Sequence, residues 1–172
     1  MLHPHQSLTR RGECAKDQKP LVAILSCADS RVPPGVIFDQ GLGDLFVTRV
    51  AGNVINPHII GSFEYAIHHL GTKLILVLGH KRCGAVNVAI QGGHFEGHVN
   101  CLIESLAPSV ENCRGQDGDL VDNAGRDNVL RMVELLKVST PVLQPKTDDG
   151  SIKIAGGFYD LDSGAVEWLI GD

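Results

Sequence analysis

The chain has 172 residues, 43% of them apolar and 20% charged, with a formal net charge of −5 at pH 7. Its length and composition suit one soluble globular domain, long enough to bury roughly 70% of its unfolded surface. The acidic balance leaves no basic footprint for nucleic acid, and apolar runs of five or six residues cannot span a membrane.

Met1 to Lys19 is polar and mixed in charge, which excludes a retained signal peptide. The setting is expected to be cytoplasmic, a signal removed ahead of this numbering aside. The spacing predicts one helix between His5 and Lys16, and residues 1–19 read as an N-terminal arm ahead of a single domain over residues 20–172. Leu21 to Ser26 is a short apolar run of buried-strand type. Pro34 can open a short helix through Phe38. Asp44 to Arg49 reads as a second strand, with Ala51-Gly52-Asn53 as a tight corner.

Ile59 to Leu70 places apolar residues at 59, 60, 63, 66, 67 and 70, the spacing of an amphipathic helix, and Gly71 stops it. A third strand over Lys73 to Leu78 leads to a helix from Cys83 to Ile90. Helices follow at Val99 to Asn112 and Leu120 to Lys137, the second with a stripe at Val129, Leu130, Val133, Leu136 and Lys137. Ile152 to Asp160 and Ala165 to Leu169 form a closing hairpin around Asp162-Ser163-Gly164. The alternation of strand and helix predicts an α/β fold. Its central sheet should be mainly parallel, with an antiparallel C-terminal edge strand and flanking helices.

Five cysteines stand at positions 14, 27, 83, 101 and 113, an odd and dispersed set that does not suggest a disulfide framework. Two of them are placed for chemistry. Cys27-Ala28-Asp29-Ser30-Arg31 follows the first strand, and Gly79-His80-Lys81-Arg82-Cys83 follows the third. In open α/β sheets ligands bind at the carboxyl ends of strands. If these strands are parallel neighbours, Cys27, His80 and Cys83 converge. Two thiolates and one imidazole form a zinc set that lacks a fourth protein ligand, the pattern of a catalytic site with water in the open position. Asp29 is the alternative fourth ligand. Zinc can bring bound water to a hydroxide near neutral pH. Arg31 would hold Asp29 as an anion away from the metal, free to accept the hydroxide's hydrogen. A structural ion pair beside two buried cysteines is the plain alternative.

These residues resemble the β-class carbonic anhydrases. The likeness rests on Cys27-Ala28-Asp29-Ser30-Arg31-Val32-Pro33, Gly43-Asp44-Leu45-Phe46-Val47-x-Arg49, Ala51-Gly52-Asn53, Glu64-Tyr65-Ala66 and Gly79-His80-x-x-Cys83-Gly84-Ala85, with Tyr159-Asp160-Leu161 near the end. It implies one Zn2+ per chain held by Cys27, His80 and Cys83, with Asp29 and Arg31 as the catalytic dyad. The reaction implied is reversible hydration of CO2 to bicarbonate and a proton through a zinc-bound hydroxide. Gln18, Phe46, Tyr65 and Gly84 would be the substrate-binding residues, with parts of each pocket from a partner subunit in a homodimer or dimer of dimers.

Two positions depart from the family pattern. Ile24 stands where members that bind inhibitory bicarbonate carry a tryptophan, although Arg49 and Tyr159 match the rest of that pocket. This favours an open, water-bound form. The start is also short, since the family has a longer helical arm embracing its partner. Hydrolysis of carbonyl sulfide or carbon disulfide on the same zinc is an alternative, as is a noncatalytic module in which Asp29 closes the metal. Gly41-Leu42-Gly43 reads as a turn, and His94-Phe95-Glu96-Gly97-His98 as a solvated loop, since its glutamate is misplaced for a zinc-protease motif.

Overall fold

The apolar runs assemble into one five-stranded sheet. A computed structural model describes residues 5–93 and 95–171, so His94 of the glycine-flanked loop lies outside the described residues. The strands are β1 (Val22–Ser26), β2 (Leu45–Arg49), β3 (Leu74–His80), β4 (Lys153–Tyr159) and β5 (Val166–Ile170). Their order across the sheet is β2-β1-β3-β4-β5, with every pairing parallel except the antiparallel β4–β5 edge. The α/β architecture expected from the alternation is therefore present, including its edge hairpin.

The helices are α1 (Leu8–Cys14), α2 (Pro34–Ile37), α3 (Pro57–His69), α4 (Gly84–Gln91), α5 (Val99–Cys113), α6 (Leu120–Lys137) and α7 (Leu143–Asp148). Helix α3 begins two residues before its apolar stripe because Asn56 accepts from the N–H groups of His58 and Ile59 and Pro57 is preset for the first turn. Helices α3 and α6 cover one sheet face, burying Phe63, Ala66, Val129, Met132 and Leu136 against Leu25, Ile75 and Val77. A second cluster joins Cys27 and Cys83 to Val86 of α4, Leu106 and Val110 of α5 and Ala124 of α6. The buried face of α6 differs from the expected stripe. Met132, Asn128 and Ala124 face inward, whereas Leu130 is exposed.

Helix α6 lies close on the sheet because glycines make room for it. A Cβ at Gly79 would stand 2.5 Å from Val129 Cγ2, and one at Gly156 would stand 2.8 Å from Val129 Cγ1. Val129 thus sits in a trough between β3 and β4, which presses the helix against the strand that ends in His80. Helix α1 buries none of its residues. It is held through Arg10, whose Nε donates to the Leu42 carbonyl at 2.9 Å and whose Nη2 reaches Asp44 Oδ1 at 3.1 Å. Among the described residues, no helix is long and apolar enough to cross a membrane.

Candidate metal centre and its carboxylate–guanidinium pair

Strands β1 and β3 run side by side in parallel, with Ser26 opposite Leu78, so Cys27 and His80 leave the sheet at the same edge. Arg82 adopts a left-handed conformation, φ 51°. The turn it makes brings Cys83 back as the N-cap of α4. As a result one ligand atom each from Cys27, His80 and Cys83 lies within 4.8 Å of the others, and all three residues are buried.

Hydrogen bonds organise the three donors. His80 Nδ1 lies 2.8 Å from the Lys81 carbonyl. If Nδ1 carries the ring proton and donates to that carbonyl, Nε2 is left as a bare lone pair. That Nε2 is buried and, among the described residues, has no hydrogen-bond partner. Cys27 Sγ accepts from the Gly52 N–H at 3.3 Å and from the Asp29 N–H at 3.5 Å, and stands 3.9 Å from Cys83 Sγ. The neighbouring Cys83 thiol, helped by His80 and these two amides, holds the Cys27 thiol far below its ordinary range against the opposing effect of burial. The contact with Cys27, together with burial, pushes the Cys83 thiol up.

The donor set fits zinc. Two sulfurs on a tetrahedral Zn2+ at about 2.3 Å each stand about 3.8 Å apart, close to the 3.9 Å separation of Cys27 and Cys83. An orphaned buried nitrogen costs about 1–3 kcal/mol, and coordination by His80 Nε2 would remove that cost. Three protein ligands of this kind leave a fourth position for solvent or substrate. Asp29 lies outside the compact trio, its Oδ2 3.9 Å from His80 Nε2.

Asp29 is gripped from one side. Arg31 donates from Nε to Oδ1 at 2.9 Å, from Nη2 to Oδ2 at 2.7 Å and from its backbone N–H to Oδ1 at 3.0 Å. These hydrogen bonds hold the Asp29 carboxyl well below the usual carboxylate range, despite partial desolvation. Arg31 Nη2 also reaches the Arg82 carbonyl at 3.3 Å, tying the pair to the His80–Cys83 turn. That turn is anchored in turn by Asp122 Oδ1, which accepts the Arg82 N–H at 2.9 Å, and by Asp162, which pairs with the Arg82 guanidinium.

The other sequence-derived candidates are distributed around the chain. Gly84 directly follows Cys83 and opens α4. Phe46 on β2 and Tyr65 on α3 have ring centroids 6.2 Å apart, and Tyr65 is 47% exposed. Gln18 is exposed beside α1 in a groove of about 550 Å³ with Arg11, Cys14 and Leu42. Ile24 is buried with Leu76 and Leu78 on the sheet face opposite α3. Arg49 points back at the Cys27 loop, donating to the carbonyls of Cys27 at 2.9 Å and Asp29 at 2.6 Å. Tyr159 packs against the cluster formed by Ile24, Leu76, Leu78 and Ala155, and it accepts the Lys81 N–H through its carbonyl. Sequence reasoning missed Asp122, Asn128 and Asp162. All three are polar residues of ordinary type whose partners lie 40, 76 and 80 residues away, so no local pattern marks them.

The model of the carbonic anhydrase family matches residues 22–166. The chain is 43% identical to carbonic anhydrase 2 of Mycobacterium tuberculosis over 94% of its length and 80% of that protein. It is 37% identical to the carbonic anhydrase of Mycolicibacterium smegmatis, covering 96% of this chain and 82% of that one. Among solved structures it is similar to a tetrameric β-carbonic anhydrase of Sordaria macrospora, with TM-score 0.86, 25% identity and coverage of 94% and 87%. It also resembles the Coccomyxa β-carbonic anhydrase bound to acetazolamide, with TM-score 0.81, 29% identity and coverage of 92% and 76%.

Proposed function

Because this chain belongs to the β-class carbonic anhydrase family, we propose that it hydrates CO2 reversibly on a zinc held by Cys27, His80 and Cys83. The observation that carries this reading is the buried trio itself, with sulfurs at tetrahedral spacing and an unpartnered imidazole nitrogen. Bound there, zinc supplies Lewis acidity that brings loss of a water proton into the neutral range.

The chain's own residues supply orientation. Asp29 stays ionised through the neutral range because Arg31 donates hydrogen bonds to both of its oxygens. Its carboxylate accepts a hydrogen bond from the attacking water and aims an oxygen lone pair at CO2. Arg31 keeps that carboxylate off the metal, which supports the open form that Ile24 favours over Asp29 closure. Gln18, Phe46, Tyr65 and Gly84 form the substrate pocket. Gln18 and Tyr65 are exposed in the single chain, which supports a pocket completed by a second copy in a dimer or dimer of dimers. The tetrameric Sordaria macrospora relative points the same way. Five free cysteines support a reducing, cytoplasmic setting.

Metal analysis and stopped-flow assays on the zinc-loaded protein, with CO2 and carbonyl sulfide in parallel, test the reading. One zinc per chain with rapid CO2 hydration is expected. One zinc per chain with no hydration at any pH would refute the enzyme reading, and faster turnover of carbonyl sulfide would reassign the substrate.

A further inference from the structure

Asn128 is a polar side chain at 1% exposure in the middle of α6, between the buried Ala124 and Val129. Burying an amide among apolar neighbours is costly, so its single hydrogen bond is informative. Nδ2 donates to the Gly52 carbonyl at 2.9 Å, across 76 residues of sequence. The same Gly52 residue donates its N–H to Cys27 Sγ at 3.3 Å. Gly52 stands at φ 72°, and a Cβ there would meet Leu106 Cδ1 at 2.9 Å, so only glycine fits this corner. Among the described residues the Asn128 Oδ1 atom has no hydrogen-bond partner, so the bond to Gly52 is the one its side chain makes there.

We propose that Asn128 is a positioning residue for the metal centre, holding the Gly52 corner so that its N–H is aimed at the Cys27 sulfur. This rests on the zinc reading above. A hydrogen bond to a ligand sulfur fixes its direction, so the sulfur is aimed before the metal arrives. Asn128 touches neither metal nor substrate and acts only through the Gly52 peptide. Residues that orient metal ligands in this way are worth about ten- to a hundredfold in metal affinity.

The test is zinc affinity by chelator competition on the full chain, with Co2+ as an optical probe of the thiolate ligands. Wild type, Asn128→Leu and the buried α6 control Met132→Ala are compared well below their unfolding temperatures. Asn128→Leu should bind zinc about ten- to a hundredfold more weakly and shift the thiolate-to-cobalt absorption band. Met132→Ala should be destabilised while keeping wild-type affinity and spectrum. If Asn128→Leu matches wild type within twofold with an unmoved band, or if Met132→Ala weakens zinc equally, Asn128 is only a structural bolt and the proposal is overturned. Should leucine prevent folding, Asn128→Ser is read by the same two outcomes. A wild-type protein that binds no zinc would instead sink the functional reading itself.

Discussion

Replacing Gly79 with alanine tests how tightly the packing of α6 sets the sheet edge that carries Cys27 and His80. The new methyl would stand 2.5 Å from Val129 Cγ2 and 3.1 Å from Phe158 Cδ2, where ordinary carbon contacts need about 3.5–4.0 Å. Neither neighbour can yield cheaply. Val129 is fully buried and β-branched with one favoured helical rotamer, and Phe158 is 1% exposed beneath the Arg126 guanidinium. The helix must therefore lift by about an ångström, at a cost near the upper end of the roughly 1–3 kcal/mol seen for overpacking. In a domain of this size that lowers Tm by about 6–12 °C. Val129→Ala alone should cost about 2 kcal/mol through lost burial and a small cavity. In the double variant the two changes fit each other, so their costs should fall short of the sum by about 1–3 kcal/mol. Denaturant unfolding of the four proteins measures this coupling. Costs that add within about 0.5 kcal/mol, or a neutral Gly79→Ala, would refute the close-packing account.

Asp29→Ala should leave zinc bound while lowering kcat about a hundredfold, as expected for a lost orienting acceptor; loss of the metal would contradict its place outside the ligand set. The arm should respond to acid through Asp44. Burial would raise this carboxyl, but the Gly41 N–H, His5 and Arg10 outweigh burial and hold it below the usual range. Its contribution is therefore fully present above the ordinary carboxylate value of about 3.9 and is lost as pH falls through the lower folded value. NMR of the α1 backbone should show release of the helix in that acid window, and Asp44→Asn should show it already at neutral pH. An arm that stays docked in Asp44→Asn would contradict the assignment.

The site was more legible than its support. Cys27 and His80 each follow an apolar run, and their spacing brings the trio together only if the two strands are parallel neighbours, as β1 and β3 are. The expected span of α6 matches the observed one, yet its inward face departs from the expected stripe because Asn128 breaks the apolar pattern while Leu130, at the right residue type, faces solvent. Strand β3 continues through Gly79 to His80 because Tyr159 of β4 pairs with His80, a tertiary effect invisible in a glycine. Helix α7 was not anticipated. It has six residues, with Pro145 in its first turns and no periodic stripe, and its anchor is the single buried Leu143. The Asp122–Arg82–Asp162 anchor joins parts of the chain that only the fold makes neighbours.

Stopped-flow CO2 hydration on one preparation, before and after chelation and again after adding back one equivalent of zinc, bears most directly on the Cys27–His80–Cys83 centre. Hydration should disappear with the metal and return with it, while Cys83→Ser should fail to recover it. Full hydration by the metal-free protein, or an inert protein carrying one zinc per chain, would contradict the account.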